Sequence, residues 1–393
     1  MSSGNFSNAS SAYSSGNKVK LVRGGKAYFE TLLAMIGQAR YSLHLQTYIY
    51  DEDRTGLAVA DALVQAAARG VKVFMLLDGY ASQKLSKNFI QRLKTAGIHF
   101  RWFSPLFRTR YFYFGRRMHH KVIVVDENLG LVGGVNISNR YNDLPGQPAW
   151  LDWAVFAEGE VSRELYNLCS DLWNKSSWGK TLRDVLDGDA NFRFRPGSCF
   201  VRVRRNDWVR GKSQISRSYI EMFKKAKSHI LIMSSYFLPG NVFRKNMMKA
   251  ARRGVVMKVV VAGKSDVWLA KEAERYIYSW LLRNGVLLYE YQPNVLHGKL
   301  STYDNRWVTV GSYNVNNISA YAAIELNLDI LDGNFAGIVT EEMNRIILQD
   351  CIQVDKDSYN LSNTFLKRIW QKACYEFIRL VFTLFTFYFK KHL

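Results

Sequence analysis

YFETLLAMIGQARYSLHLQTYIYDEDRTGLAVADALVQAAARGVKVFMLLD occupies residues 28–78, and the order of elements within it decides the fold. Its apolar spacing predicts a helix, a strand over 42–50, a second helix ending at Ala68-Arg69-Gly70, and an apolar strand over 71–77. Residues 219–263, YIEMFKKAKSHILIMSSYFLPGNVFRKNMMKAARRGVVMKVVVAG, repeat that order. Here the strands fall at 230–237 and 255–261, and the second helix ends at Arg252-Arg253-Gly254. A glycine preceded by arginine suits the left-handed turn and negative pole of a helix C-terminus. Each copy continues with a helical stretch, ending at Gly97 or Gly285, and then a short strand. Helices alternating with strands imply an α/β fold with a parallel or mixed sheet, and two copies imply a pseudo-twofold molecule.

The repeat sets the expected organisation. A first half covers 19–178 and a second 213–358, joined by a basic linker over 179–212. Residues 1–18, rich in Ser, Asn and Gly, read as a disordered tail without the apolar core of a signal peptide. Residues 359–393 read as an amphipathic membrane-interface segment. Within it, 380–389 (LVFTLFTFYF) carry no charge, a length too short to span a bilayer but suited to its interface.

A histidine motif sits at the same place in each copy. The first is His119-His120-Lys121-Val122-Ile123-Val124-Val125-Asp126, followed by Gly133 and Asn136; the second is His297-Gly298-Lys299-Leu300-Ser301-Thr302-Tyr303-Asp304, followed by Gly311 and Asn314. One His-x-Lys-x4-Asp arises by chance in roughly a few per cent of such chains. Two, with the same downstream Gly and Asn, do not. Residues at positions 0 and 2 of a strand share a face, so His and Lys emerge together. Brought together by a twofold axis, Lys121, Lys299, Asn136 and Asn314 would neutralise the non-bridging oxygens of a phosphodiester. One imidazole would attack phosphorus and the other protonate the leaving oxygen. Asp126 and Asp304 fall on the opposite face of the strand, and two roles stand open for them, catalysis or bracing. His120 also alternates away and is a neighbour rather than a catalyst. Lysines would compete with a cation and no third ligand has suitable spacing, so no metal is expected.

These residues resemble the phospholipase D superfamily, defined by paired HxKx4D motifs with a GxxN follow-up, over about residues 19–355. The resemblance implies tandem pseudo-twofold α/β/α sandwich halves with the active site at their interface, a phosphohistidine intermediate and no cofactor. It also implies an acid downstream of each motif that orients the motif histidine. Glu325 holds that position in the second half and Asp152 in the first, where it lies five residues later than the repeat predicts. The superfamily pattern favours His119 as nucleophile and His297 as general acid.

Within the superfamily the chain is similar to the bacterial cardiolipin synthases of the short type without N-terminal membrane helices. Matching segments are Thr47-Tyr48-Ile49-Tyr50, Asp78-Gly79, Tyr236-Phe237 with Pro239, and Gly263-Lys264-Ser265-Asp266. This resemblance implies transfer of a phosphatidyl group between two phosphatidylglycerols with release of glycerol. It also implies peripheral residence on the cytoplasmic face of a bacterial membrane.

Composition agrees with an anionic partner. The net charge of +21 attracts polyanions, and the 48% hydrophobic content excludes global disorder. Residues 100–121, FRWFSPLFRTRYFYFGRRMHHK, combine aromatics and bases without an acid, as a lipid headgroup interface requires. Nucleic-acid stacking would use the same residue types, but the apolar C-terminus favours lipid and no nucleic acid is expected. A second basic cluster over 193–212 reads as a further membrane face or a solvated linker. Two alternatives share the motifs: a phospholipase D-type hydrolase or nuclease, and a non-catalytic membrane-binding protein.

Overall fold

The computed structural model describes residues 13–105, 116–175, 199–316 and 323–390, with the backbone alone at 175 and 382–390. The first half runs β1 (Ser14–Arg23), α1 (Lys26–Gln38), β2 (Ser42–Thr47), α2 (Arg54–Ala68), β3 (Lys72–Asp78), α3 (Lys87–Thr95), β4 (His99–Phe103), β5 (Arg117–Met118), β6 (Lys121–Val125), β7 (Leu129–Gly133), β8 (Trp153–Glu158) and α4 (Glu160–Lys175). The second runs β9 (Cys199–Asp207), β10 (Lys212–Ser213), α5 (Gln214–Lys225), β11 (His229–Met233), α6 (Asn241–Arg252), β12 (Val256–Lys264), α7 (Trp268–Arg283), β13 (Leu287–Val295), β14 (Leu300–Tyr303), β15 (Trp307–Gly311), β16 (Ala323–Leu331) and α8 (Gly333–Asp350). Then follow β17 (Cys351–Gln353), α9 (Lys356–Ser362) and α10 (Phe365–Lys390).

The two sheets repeat one pattern of pairing. In the first, β4, β3 and β2 are parallel, and β2, β6, β7, β8 and β1 then pair antiparallel in that order. In the second, β13, β12 and β11 are parallel, and β11, β14, β15, β16 and β9 continue antiparallel. The register matches too: Leu43 faces Val125 and Ile230 faces Tyr303, each four residues past the motif lysine. Helices α1 to α3 cover one sheet and α5 to α7 the other, while α4 and α8 help fill a shared apolar layer that draws residues from both halves.

Two expectations need correction. The tail gives way at Ser14 to β1, whose Ser14 and Asn17 pair with Val201 and Cys199 and so tie the two sheets together. Residues 1–12 lie outside the described residues. The basic linker ends earlier than the composition suggested, because 199–207 form β9, the counterpart of β1. Its arginines face neither membrane nor water. Arg202 and Arg204 are buried with Asp329 at 3.0 and 3.4 Å, and Arg205 with Asp207 at 2.9 Å. A buried guanidinium survives only when so paired. Near the motif end of the aromatic basic segment, Arg116 meets Asp207 at 2.9 Å and Arg117 meets Asp78 at 3.3 Å; residues 106–115 lie outside the described residues.

Candidate active site at the junction of the halves

Two short crossings bring the motifs together. β5 pairs in parallel with the start of β16, setting Met118 opposite Ile324, and the His119 N–H donates to the Ile324 carbonyl at 3.0 Å. The mirror crossing sets Leu151 opposite Leu296, and the His297 N–H donates to the Leu151 carbonyl at 2.8 Å. In each crossing the residue before an acid lies beside the residue before a histidine. The acids therefore reach across. His119 Nδ1 meets the Glu325 carboxylate at 2.9 Å, and His297 Nδ1 meets Asp152 at 2.6 Å. This corrects the expectation that each acid serves the histidine of its own half. A carboxylate on Nδ1 fixes the tautomer that leaves Nε2 as the reacting nitrogen.

The lysines fold back beside their histidines. Lys121 Nζ donates to the His119 carbonyl, and Lys299 Nζ donates to the His297 carbonyl and to Ser235 Oγ. Lys121 instead lies 5.3 Å from the centre of the Tyr48 ring, and that ring also edges His119 at 4.9 Å. Burial draws the Lys121 ammonium down to about 7 and that of Lys299 to about 8, although Glu325 and Asp152 oppose it. Burial likewise lowers both histidines, His297 well below the usual imidazole range, and pushes Asp152 up to about 7. An incoming phosphodiester adds negative charge that favours protonating one histidine.

Asn136 and Asn314 are both buried. The Asn136 carbonyl accepts from the Ile49 N–H at 3.1 Å and its amide touches the Tyr141 hydroxyl, so the NH2 end is held in a fixed direction. Tyr141 in turn edges His297 at 5.2 Å.

Asp126 and Asp304 are not brought to the site. The Asp126 carboxylate accepts the N–H groups of Arg40, Tyr41 and Ser42, and Asp304 those of Lys227, Ser228 and His229, all within 2.7–2.9 Å. Each also opens a turn with two successive left-handed residues, Asp126-Glu127 and Asp304-Asn305, with φ between 47 and 53°. Aspartate tolerates that conformation better than most residues. The motif aspartate is therefore a brace between the motif hairpin and the helix–strand junction beside it. His120 is buried, with Nε2 2.9 Å from Gln46 Oε1.

Sequence reasoning missed several contributors. Ser312 donates to Glu325, and a Cβ at Gly134, the same position in the first half, would lie 2.3 Å from an Asp152 oxygen. Asp78 accepts the Met118 N–H at 2.9 Å and pairs with Arg117, so it clamps the strand that delivers His119. The segments containing Tyr48, Asp78 and Ser235 were visible as parallel stretches, but their partners were not. Among the described residues no group of His, Cys, Asp and Glu is arranged to hold a metal.

The profile of a family described as "Cardiolipin synthase, PLD-like domain" matches residues 32–146 and 219–347. The chain is 35% identical over 345 residues to "Cardiolipin synthase B" of Escherichia coli K12, covering 87% of this chain and 83% of that protein. It is 28% identical over 372 residues to "Cardiolipin synthase 1" of Bacillus cereus, covering 92% and 71%. Among solved structures, phosphatidylserine synthase from Haemophilus influenzae Rd KW20 superposes with a TM-score of 0.72 at 14% identity, covering 96% of this chain and 97% of that one. Polyphosphate kinase from Porphyromonas gingivalis superposes at 0.58, covering 86% and 49%.

Proposed function

The chain belongs to the cardiolipin synthase family with phospholipase D-like domains, and from that premise we propose a two-step transfer at the composite site. It is an enzyme, a cardiolipin synthase-type phosphatidyltransferase. In the first step His119 Nε2 attacks the phosphorus of one phosphatidylglycerol. The P–O bond to glycerol breaks, and His297 Nε2–H gives its proton to the departing oxygen. In the second step the glycerol hydroxyl of another phosphatidylglycerol gives its proton to His297 and attacks phosphorus, and the P–N bond breaks. Two phosphatidylglycerols thus become one cardiolipin and one glycerol. Lys121, Lys299, Asn136 and Asn314 meet the phosphoryl oxygens. The reciprocal pairing of each histidine with the other half's acid carries this reading, because it presents two oriented imidazoles of distinct origin to one phosphate. His119 is assigned the attack on the superfamily pattern and on its more exposed side chain, 19% against 10% for His297.

The substrate lies in a bilayer, and the surface offers a way onto it. α10 packs Gln371, Cys374 and Tyr375 against the second half but exposes Phe365, Leu366, Ile369, Trp370, Phe377 and Leu380, interleaved with Lys367, Arg368 and Arg379. An apolar stripe flanked by bases suits the headgroup boundary of an anionic leaflet. No helix among the described residues is long and apolar enough to cross a membrane. The uncharged stretch expected at 380–389 is the end of this helix, and its side chains beyond 381 lie outside the described residues.

The test is purified protein mixed with phosphatidylglycerol vesicles, with products identified by mass. Cardiolipin and glycerol in equal amounts are expected. Phosphatidic acid without cardiolipin would make the enzyme a hydrolase, and metal-free cleavage of single-stranded DNA would make it a nuclease.

A further inference from the structure

The matched registers allow the two halves to be compared position by position. Leu43 and Ile230 correspond, so Tyr48 corresponds to Ser235, Ile49 to Tyr236 and Tyr50 to Phe237. The parallel ladders, Leu43 to Val73 and Ile230 to Met257, carry the count on to Ser82 and Asp266. In the first half this pair of positions is structural. Ser82 is buried, donates to the Tyr48 carbonyl at 2.9 Å and accepts the Tyr50 N–H at 2.9 Å. In the second half Glu274 of α7 takes over that bracing, accepting the Phe237 N–H at 2.8 Å. Asp266 is released from it and lies exposed, accepting a hydrogen bond from the Tyr236 hydroxyl.

The pair stands on the His297 side of the site. Tyr236 directly follows Ser235, which holds Lys299 at 2.9 Å. The charge of Asp266 is felt by His297, Lys299 and Tyr141, and Tyr141 packs on His297 at 5.2 Å. A carboxylate here opposes binding of an anionic lipid, so it needs a compensating use. A neutral polyol supplies one, because its hydroxyls donate to a carboxylate with charge-assisted strength.

We propose that Tyr236 and Asp266 form the alcohol subsite, positioning the glycerol head that leaves in the first step and the one that attacks in the second. This rests on the transferase reading above, in which His297 handles the alcohol oxygen. Tyr236 and Asp266 are positioning residues for the hydroxyls that do not react.

The test compares two soluble acceptors on phosphatidylglycerol vesicles: labelled glycerol, which exchanges into the lipid, and 1-propanol, which offers no second hydroxyl. Asp266→Asn should raise the apparent KM for glycerol about tenfold, the worth of one charge-assisted hydrogen bond. Its KM for 1-propanol should stay within about twofold. Tyr236→Phe should shift the glycerol value in the same direction by less. An equal rise in the KM for both alcohols would show Asp266 acting through His297 and overturn the subsite. Unchanged glycerol kinetics would overturn it as well. A wild-type protein that transfers to neither alcohol would instead overturn the transferase reading, and the subsite with it.

Discussion

The acid that serves His297 is an aspartate beside a glycine, and the acid that serves His119 is a glutamate beside a serine. Asp152 is one methylene shorter and lies so close to Gly134 that any side chain there would collide with its carboxylate. Glu325 is longer, and the Ser312 hydroxyl at the matching position donates to it. The two halves thus reach one geometry by different means on matching backbones, which leaves their histidines in different surroundings. One carboxylate is held by close packing and its neighbour's N–H, the other by a hydroxyl.

The largest test of the proposed division of labour removes the histidines. His119→Ala and His297→Ala should each lower cardiolipin formation by at least about 10³-fold while vesicle binding stays unchanged. A lipid whose leaving group needs no protonation, such as a p-nitrophenyl phosphatidyl ester, should restore adduct formation on His119 in His297→Ala and not in His119→Ala. Mass spectrometry of the trapped adduct reads the outcome, and an adduct on His297 would exchange the two roles.

The crossed acids give the next largest effect. Glu325→Gln and Asp152→Asn should each lose on the order of 10²-fold in kcat. Because the pairing crosses, Asp152→Asn should behave as His297→Ala does and be rescued by the activated ester, whereas Glu325→Gln should not. Rescue of Glu325→Gln alone would contradict the pairing seen here.

The lysines separate the halves by pH. Burial sets Lys121 to about 7 and Lys299 to about 8, so kcat/KM should fall as pH rises through 7 to 8 and the ammonium charge is lost. The stability effect has the opposite sign. A folded-state value lowered from 10.5 makes the neutral amine the favoured buried form, a contribution present above 10.5 and lost as pH falls through about 7. Lys121→Met should therefore raise Tm by about 2–5 °C at pH 6 and by less at pH 9, while abolishing turnover. A uniform shift by scanning fluorimetry at both values would show that charge burial is not the cause.

The smallest expected effect on chemistry comes from the motif aspartates, where the halves should agree. Asp126→Ala and Asp304→Ala should each cost about 1–3 kcal/mol in urea unfolding, with turnover of the folded protein within about twofold. Desolvation raises the Asp304 carboxyl, but hydrogen bonds from Ser228, His229 and Lys227 outweigh it and hold the group at about 2. Its stabilisation is present above the usual value of 3.8 and lost as pH falls through 2. Loss of turnover without loss of stability would return these residues to catalysis.

Much of this was legible before any coordinates. The helix–strand order of both copies and the face shared by His and Lys follow from periodicity alone. The β9 strand was hidden because its arginines read as linker, and the acid that neutralises Arg202 and Arg204, Asp329, is distant in sequence. The crossing of Asp152 and Glu325 was hidden for a related reason, since spacing within a repeat cannot say which copy a side chain will face. The five-residue delay before Asp152 becomes intelligible in three dimensions. The inserted stretch folds into a small bridge between Leu144 and Gln147, and Asn294 of the other half holds the Pro148 carbonyl at 2.8 Å. The role of the motif aspartates was half legible: Asp-Glu-Asn and Asp-Asn-Arg are turn sequences, but the backbone donors they collect come from another element.

The bond between His119 and Glu325 joins residues 206 apart, and it has a consequence for the timing of synthesis. A nascent chain that has emerged through Lys299 already carries both histidines, both lysines and Asp152, yet the acid that orients His119 has not been made. The complete arrangement of paired imidazoles and carboxylates therefore arrives only with β16. A chain that stops short of β16 leaves His119 without the carboxylate that fixes its tautomer.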